Sequence, residues 1–327
     1  MKRRDWLVAW SGIAAGAAGT ALWRRLYSTT PPALGHPMPA AAPLGLRYDH
    51  GAMPPTELGP LSLDAVTRPP APHLESTPVT RQYRLDVVDQ RVGVSVDQQF
   101  QAWTFGGSMP GPVLRATEGD RLEITLKNRT SHAHNLHLHG RHEVGADGWE
   151  PVPPGGEVTY RLTAGPFGVH PYHCDFTPSD DHIANGLYGV LIVDPRPARP
   201  TAQEFSLVLG GFDVDGDGQS DLFGWNGVAG FYAKYPIKVT TGELVRVYLA
   251  NLVTDEPMAS FHLHAETFQV YRNGTRLVPD EETDIVSLAP AERAMIEFRL
   301  PARGRYMFHP HQRVMAEQGG MGWFAAV

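Results

Sequence analysis

Residues 172–187, YHCDFTPSDDHIANGL, decide how the rest of this sequence is interpreted. They include Cys174, the only cysteine of the chain, with His173 beside it and His182 eight residues later. A single thiol between histidines suits metal binding better than a disulfide or a bare nucleophile. The alternative is a buried structural cysteine with polar histidines nearby. Further His-x-His pairs elsewhere in the chain favour the metal site.

The residue types indicate which metal this site binds. Two imidazole nitrogens and one thiolate in a trigonal arrangement, with a weak or missing fourth ligand, are typical of a blue-copper electron-transfer site. The second histidine must come from another strand, and His134 in HAHNLHLHG (residues 132–140) is the candidate. We therefore predict a copper site built from His134, Cys174 and His182.

Composition narrows the class of protein. A length of 327 residues suits two domains, each large enough for its own core. The chain has 34 glycines and 29 prolines, which indicate many turns, as in all-β proteins. A formal net charge of −7 argues against nucleic acid as a partner. A single cysteine excludes any disulfide within the chain.

The N-terminal residues 1–27 have the pattern of an export signal. A basic start precedes an apolar run from Trp6 to about Trp23, and Arg3-Arg4 resembles a twin-arginine signal. No clear cleavage site precedes Arg24, so the segment could also remain as a membrane anchor. We expect an exported protein, either periplasmic, cell-surface or secreted. Residues 28–80 are rich in proline and alanine and are expected to form a linker or extended arm.

From Arg81 onward, short alternating runs broken by glycine and proline predict strands with almost no helix. Two halves of this region match each other. GDRLEITLKN (119–128) parallels GELVRVYLAN (242–251), and an HLH motif follows in each half. Such an internal duplication predicts an all-β fold of two tandem Greek-key β-sandwich domains, residues 81–197 and 198–327.

The alternation of a strand predicts which side chains share a face. Residues i and i+2 point to one side, while i+1 points to the other. His173 and Asp175 therefore face away from Cys174, so that Cys174 can bind one copper inside its sandwich while His173 binds another at the boundary. The peptide link between them would be a short electron path. Four such pairs supply more imidazole than one copper needs, and we predict a copper cluster bound by His137, His139, His173, Asp175, His262, His264, His309 and His311.

Several motifs together carry a family resemblance. They are FGGSMPGP (105–112), EGD (118–120), HLHG (137–140), His173-Cys174, HLH (262–264) and HPH (309–311). With them, residues 81–327 resemble the two-domain multicopper oxidases, a family of cupredoxin fold that is related to the copper nitrite reductases. The resemblance implies a homotrimer with up to four coppers per subunit. It also implies that a small-molecule or metal-ion reductant, or a redox partner protein, donates electrons that reduce O2 to water at a type 2/type 3 cluster.

Carried over to this sequence, the type 1 copper ligands are His134, Cys174 and His182, with the non-ligating Leu187 at the axial position. The second half lacks this site, because Pro310 stands in place of the cysteine. Asp175 stands where the family usually has a histidine, and a carboxylate is a poorer ligand for copper(I) than an imidazole. His170 is a conceivable substitute, but it lies three residues before His173 and so should face the other way.

Two alternatives remain open. Copper nitrite reductases need only the type 1 copper and one three-histidine copper, which His139 and His173 could help to build; they carry an acidic residue where His137 stands. A copper-binding electron carrier with a degenerate cluster is the other alternative.

Protons for the cluster could pass through Asp147 or Asp284, although each could instead have a turn or capping role. The acidic run Asp213–Asp221 resembles part of a calcium loop but is better interpreted as an acidic turn.

Overall fold

The computed structural model describes residues 67–73 and 75–327, and these lie in one compact unit. The predicted export signal and most of the predicted linker lie outside the described residues. Within the described part, no helix is both long and apolar enough to cross a membrane.

The first sandwich consists of two four-stranded sheets. Its strands are β1 (Thr80–Gly93), β2 (Gln99–Phe105), β3 (Leu114–Thr117), β4 (Arg121–Asn128), β5 (His137–Leu138), β6 (Glu157–Thr163), β7 (Gly168–His173) and β8 (Tyr188–Asp194). One sheet has the order β2-β1-β4-β6 and the other β3-β8-β7-β5.

The second sandwich consists of a six-stranded and a five-stranded sheet. Its strands are β9 (Gln203–Phe212), β10 (Leu222–Trp225), β11 (Ile237–Val239), β12 (Val245–Asn251), β13 (Ala259–Leu263), β14 (Phe268–Arg272), β15 (Glu281–Thr283), β16 (Ile285–Leu288), β17 (Arg293–Phe298), β18 (Gly304–His309) and β19 (Gly322–Ala326). The sheet orders are β10-β9-β12-β17-β14-β15 and β11-β19-β18-β13-β16.

Helices are short throughout the described residues, as the sequence predicts. They are α1 (Ser179–Ala184), α2 (Phe231–Lys234) and α3 (Arg313–Met315), with a 3-10 turn at Val144–Ala146 and a π-type turn at Ala316–Gly320. Only α1 bears on the thiol site, because it carries His182. Two aspartates in its first turn suit the positive end of the helix dipole.

Strand pairing repeats between the two sandwiches. The parallel pair β1–β4 corresponds to the parallel pair β9–β12. In the other sheet, His137 pairs with His173 across β5 and β7, and His262 pairs with His309 across β13 and β18. The predicted all-β fold of two tandem sandwiches is confirmed, and the duplication places histidines at equivalent positions in both halves.

A shared apolar core joins the sandwiches, in addition to the core that each has inside. It brings residues of the first sandwich against residues of the second, among them Val92, Phe100, Tyr188, Phe212, Tyr248 and Met295. Burying one large apolar side chain stabilises a fold by roughly 1.5–3 kcal/mol. This core therefore fixes the position of one sandwich relative to the other.

A buried ionic network crosses the same boundary. Arg115 of β3 is 1% exposed and donates hydrogen bonds of 2.7 and 2.8 Å to Asp194 and of 2.7 Å to Glu204. Arg246 donates to Glu204 at 2.8 Å and to Glu297 at 2.7 Å. Burial alone raises the pKa of Glu204, but the hydrogen bonds and positive charges of Arg115 and Arg246 together outweigh it, so that the pKa is lowered overall. Glu204 is thus a charged carboxylate paired with two arginines at the junction of the two halves.

Candidate copper sites

The thiol site assembles from three separate segments. Cys174 directly follows β7, His182 lies on α1, and His134 lies in the segment before β5. The Cys174 Sγ atom is 3.2 Å from His182 Nδ1 and 3.9 Å from His134 Nδ1, and the two Nδ1 atoms are 3.1 Å apart. All three side chains are buried. The structure therefore brings together the three residues that the sequence predicts as type 1 ligands.

Neighbouring groups hold these side chains in a ligating orientation. An Nε2–H on His134 donates to Thr130 Oγ1 at 2.9 Å, which leaves Nδ1 with a free lone pair. The backbone N–H of Asn135 donates to Cys174 Sγ at 3.4 Å. The Asn135 side-chain oxygen accepts the backbone N–H of Asp175 at 2.7 Å. Neither Thr130 nor Asn135 carries a sequence signal that would have identified it as a supporting residue.

Electrostatics of the site suit a soft metal ion. Burial raises the pKa of the Cys174 thiol to about 11 and lowers the pKa of His134 to about 3. Burial also lowers the pKa of His182. Neutral imidazoles already have the protonation state that a metal requires, and metal binding would displace only the thiol proton. Two nitrogens and one sulfur in a dry pocket fit copper.

Leu187 contributes apolar contact but no ligand atom. Its side chain is fully buried in the same core as Cys174. Its backbone carbonyl accepts the Cys174 N–H at 3.0 Å, and its own N–H donates to the His182 carbonyl at 3.1 Å. Leu187 therefore ties the two ligand segments together through its backbone, and its side chain offers no ligand atom.

A second site is formed by three histidines of the first sandwich: His137, His139 and His173. The Nε2 atoms of His139 and His173 are 3.0 Å apart, and the ring of His137 lies 5.1–5.2 Å from the other two. An Nδ1–H on His173 donates to the carbonyl of Cys174 at 3.0 Å. His173 is therefore joined to Cys174 both through the peptide bond and through this hydrogen bond.

A third site repeats this geometry in the second sandwich with His262, His264 and His309. The Nε2 atoms of His264 and His309 are 2.9 Å apart. The ring of His311 lies 5.5 Å from that of His262 and 5.9 Å from that of His309, so it adds a fourth imidazole. His264 is exposed, whereas its counterpart in the first sandwich, His139, is half-buried.

The two histidine sites form separate groups within the described part of one chain. Asp175 is half-buried, and its carboxylate belongs to neither histidine group. His170 also does not join them, since its Nε2–H donates to the Pro166 carbonyl at 2.7 Å. Among the predicted cluster residues, the structure thus groups the histidines and leaves Asp175 aside.

Both predicted proton-relay residues lie next to a histidine site. Asp147 Oδ1 is 2.6 Å from His137 Nδ1, a distance that allows this carboxylate to orient the ring. In the second sandwich, the backbone carbonyl of Asp284 accepts an Nδ1–H of His262 at 2.8 Å, while the Asp284 carboxylate is 3.8 Å away and 56% exposed. Of the two aspartates, Asp147 contacts its histidine closely through the side chain, whereas Asp284 does so through the backbone.

The low pKa values predict how the copper-free protein responds to acid. Burial lowers the pKa of His139 to about 3 and that of His170 to about 4, from about 6.5 in the unfolded chain. Between these values the unfolded state binds more protons, so the stability present above pH 6.5 is lost as the pH falls towards 3. Denaturant unfolding at several pH values measures this loss. The His170→Gln variant should reduce its slope by up to about 1.4 kcal/mol per pH unit, and an unchanged slope would contradict the prediction.

Comparison with known proteins agrees with this geometry. Multicopper oxidase family models match residues 87–198 and 206–327. A crystal structure of a multicopper oxidase is 36% identical, has a TM-score of 0.78, and covers 83% of this chain and 99% of its own. A copper nitrite reductase from Nitrosomonas europaea is 29% identical, with a TM-score of 0.70 and coverage of 76% and 94%. The copper-containing nitrite reductase of Neisseria meningitidis serogroup A is 28% identical over 288 residues, covering 80% of this chain and 74% of that protein.

These matches confirm the predicted cupredoxin-like fold and the prediction of a copper-dependent oxidoreductase. Copper is the metal that such proteins bind, and the buried Cys174 site and the two histidine sites supply suitable ligands. The chain belongs to the multicopper oxidase family.

Proposed function

We propose that the protein oxidises a one-electron donor at the Cys174 site and reduces O2 to water at the histidine sites. The observation that carries this proposal is the pair of matching histidine sites, with three imidazoles in the first sandwich and four in the second. A single three-histidine copper would leave several of these side chains unused. Copper, when bound, supplies one-electron redox chemistry, so that four donors that each give one electron can together reduce one O2.

The reaction balances as four donors each losing one electron, with four protons and one O2 giving two waters. The residues of the chain support this transfer. Cys174 and His173 connect the thiol site to the first histidine site through one peptide bond and one hydrogen bond of 3.0 Å. Asp147 holds His137 at this site and is the better placed of the two aspartates to pass a proton.

We further propose that copies of the chain assemble as a homotrimer. Each histidine site alone supplies only part of a three-copper cluster, and the two sites are separate within the described residues of one chain. The exposure of His264 leaves the second-sandwich site accessible to another molecule. Contact between the first-sandwich site of one copy and the second-sandwich site of the next would complete a cluster.

Reduction of nitrite to nitric oxide is the second candidate function. One observation favours it: Asp175 stands apart from the histidine groups, so the first sandwich offers one ligand fewer than a full cluster would use. The contact of Asp147 with His137 also places an acid next to the site, as proton-dependent nitrite chemistry requires.

The test compares the two acceptors on copper-loaded full-length protein. We expect oxygen consumption with a phenolic dye, about four coppers per subunit, and little anaerobic conversion of nitrite. About two coppers with nitrite turnover would support the reductase instead, and a single copper without turnover would indicate an electron carrier. The Asp175→His variant belongs in the same assay: a gain in copper or oxygen consumption would show that the aspartate limits the cluster, and no gain would show that it does not.

Replacing Asp147 with asparagine should slow oxygen reduction by about 10- to 100-fold, the usual effect of losing a group that orients a metal ligand. The asparagine keeps the size of the side chain but removes the charge that pairs with His137 at 2.6 Å. The visible band of the Cys174 site should not change. Asp284→Asn is the matched control and should have a smaller effect, since its carboxylate is 56% exposed and 3.8 Å from His262. Equal losses in both variants would argue against a special role for Asp147.

A further inference from the structure

A cavity of about 780 Å³ lies beside the Cys174 site, where the two sandwiches meet. The first sandwich contributes residues of β2 and of the α1 region to its walls. The second sandwich contributes the acidic loop after β9 and a turn that includes Asp255. Both sandwiches therefore form the walls of the cavity, next to the apolar core that they share.

Trp103 separates this cavity from the thiol site. Trp103 lines the cavity, and its ring lies 5.0 Å from the ring of His134 and 4.9 Å from that of His182. The backbone N–H of Trp103 donates to the carbonyl of Asn185 at 2.8 Å, just after α1. Since α1 also carries His182, a molecule that contacts Trp103 inside the cavity is one side chain away from both histidine ligands.

The walls of the cavity carry mostly negative charge. The carboxylates come from α1, from the acidic loop and from the neighbouring turn: Asp180, Asp181, Asp213, Asp215 and Asp255. Among the described lining residues, Arg91 is the only lysine or arginine. Trp103, Phe100 and Leu252 add apolar surface. An indole face beside carboxylates favours a ligand that has both a ring and a positive charge.

The acidic loop does not need a metal ion to account for its geometry. Asp213, Asp215 and Asp221 have carboxylate oxygens within 4.8 Å of one another. However, these oxygens accept backbone N–H groups of the loop itself, such as Gly216 and Gly218 on Asp213 at 2.6 and 2.8 Å. This agrees with the interpretation of the run as an acidic turn, whose outer charge still faces the cavity.

We propose that this cavity is the electron-donor site and that it selects positively charged aromatic donors. The proposal rests on the proposed function, because it names the donor class of the same Cys174 site. The donor would lose one electron without any bond forming or breaking, and the electron would go to the copper that His134, Cys174 and His182 would hold. Trp103 is the contact between donor and ligands, and the carboxylates hold the donor cation.

A binding experiment tests the cavity without any redox step. Calorimetry on the copper-loaded full-length protein would compare phenyltrimethylammonium, a redox-inert aromatic cation, with benzenesulfonate, an anion with the same ring. We expect measurable binding of the cation only. The Asp180→Asn/Asp255→Asn variant should weaken that binding about five- to tenfold at low ionic strength. The control Glu157→Gln/Glu243→Gln removes the same charge from exposed positions outside the cavity and should leave binding unchanged.

A single electron-transfer step tests the function of the cavity. Anaerobic stopped-flow mixing would follow bleaching of the blue copper by (ferrocenylmethyl)trimethylammonium and by ferrocenecarboxylate. Compared with the unaltered protein, the Asp180→Asn/Asp255→Asn variant should react about five- to tenfold more slowly with the cation and faster with the anion. Added salt should reduce both differences. Equal changes for both probes, or no change for either, would overturn the proposal. Because no acceptor is present, this result is independent of whether O2 or nitrite is the acceptor.

Discussion

Replacing Cys174 with serine is expected to remove the blue colour of the copper-loaded protein and to reduce donor oxidation to the level of copper-free protein. The Sγ atom is the only thiolate donor, and it lies 3.2 and 3.9 Å from the two histidine nitrogens in a fully buried pocket. A serine hydroxyl ionises far less readily than a thiol and is a poor copper ligand. Visible absorption, copper content and donor oxidation measure the effect.

Leu187→Met is the matched control for this experiment. It alters the same buried core beside Cys174 but leaves all three donor atoms in place. The control should stay blue and active, with a lower reduction potential because a methionine sulfur can approach the copper. The Cys174→Ser variant should keep the copper at its histidine sites, so that it contains about one copper ion per chain less than the unaltered protein. Residual blue colour in the serine variant would contradict the assignment of Cys174.

Much of the site follows from sequence because its ligands obey local rules. The alternation of a strand places His137 and His139 on one face, and it turns Cys174 away from His173. The structure agrees, since Cys174 faces the core of its sandwich while His173 Nε2 lies 3.0 Å from His139 Nε2. The repeated pattern of the second half then locates the third site by analogy.

The supporting residues are harder to predict, because they depend on how distant segments pack. Trp103 lies in a strand that carries no metal motif, yet its ring reaches two ligand histidines. Asp147 could be named from sequence as an acid near the cluster, but its 2.6 Å contact with His137 depends on the path of an irregular loop. The donor cavity requires both sandwiches, since Asp180 and Asp255 come from different halves of the chain. No local pattern encodes such a juxtaposition.

Arg115 shows that a residue important for stability can also be hard to predict from sequence, because its partners lie on distant segments. In the four-residue strand LRAT, alternation places Arg115 on the face opposite the core residues Leu114 and Ala116 and so predicts an exposed side chain, yet Arg115 is only 1% exposed. It is stable there because Asp194 of β8 and Glu204 of β9 accept its hydrogen bonds. Arg115 also donates to the Pro70 carbonyl at 2.6 Å, which ties the segment before β1 to the same network.

Arg115→Met should therefore lower the free energy of unfolding by about 3–5 kcal/mol, the usual cost of leaving buried charges without their partner. Methionine has a similar length but cannot pair with Asp194 and Glu204, whose side chains are only 12% and 14% exposed. Denaturant midpoints of the copper-free protein measure the loss. Arg161→Met makes the same chemical change at a side chain that is 65% exposed and paired with Glu123 at 3.3 Å, and it should change the midpoint little. If both variants unfolded at the same midpoint, the ionic network between the sandwiches would contribute nothing beyond an ordinary surface pair.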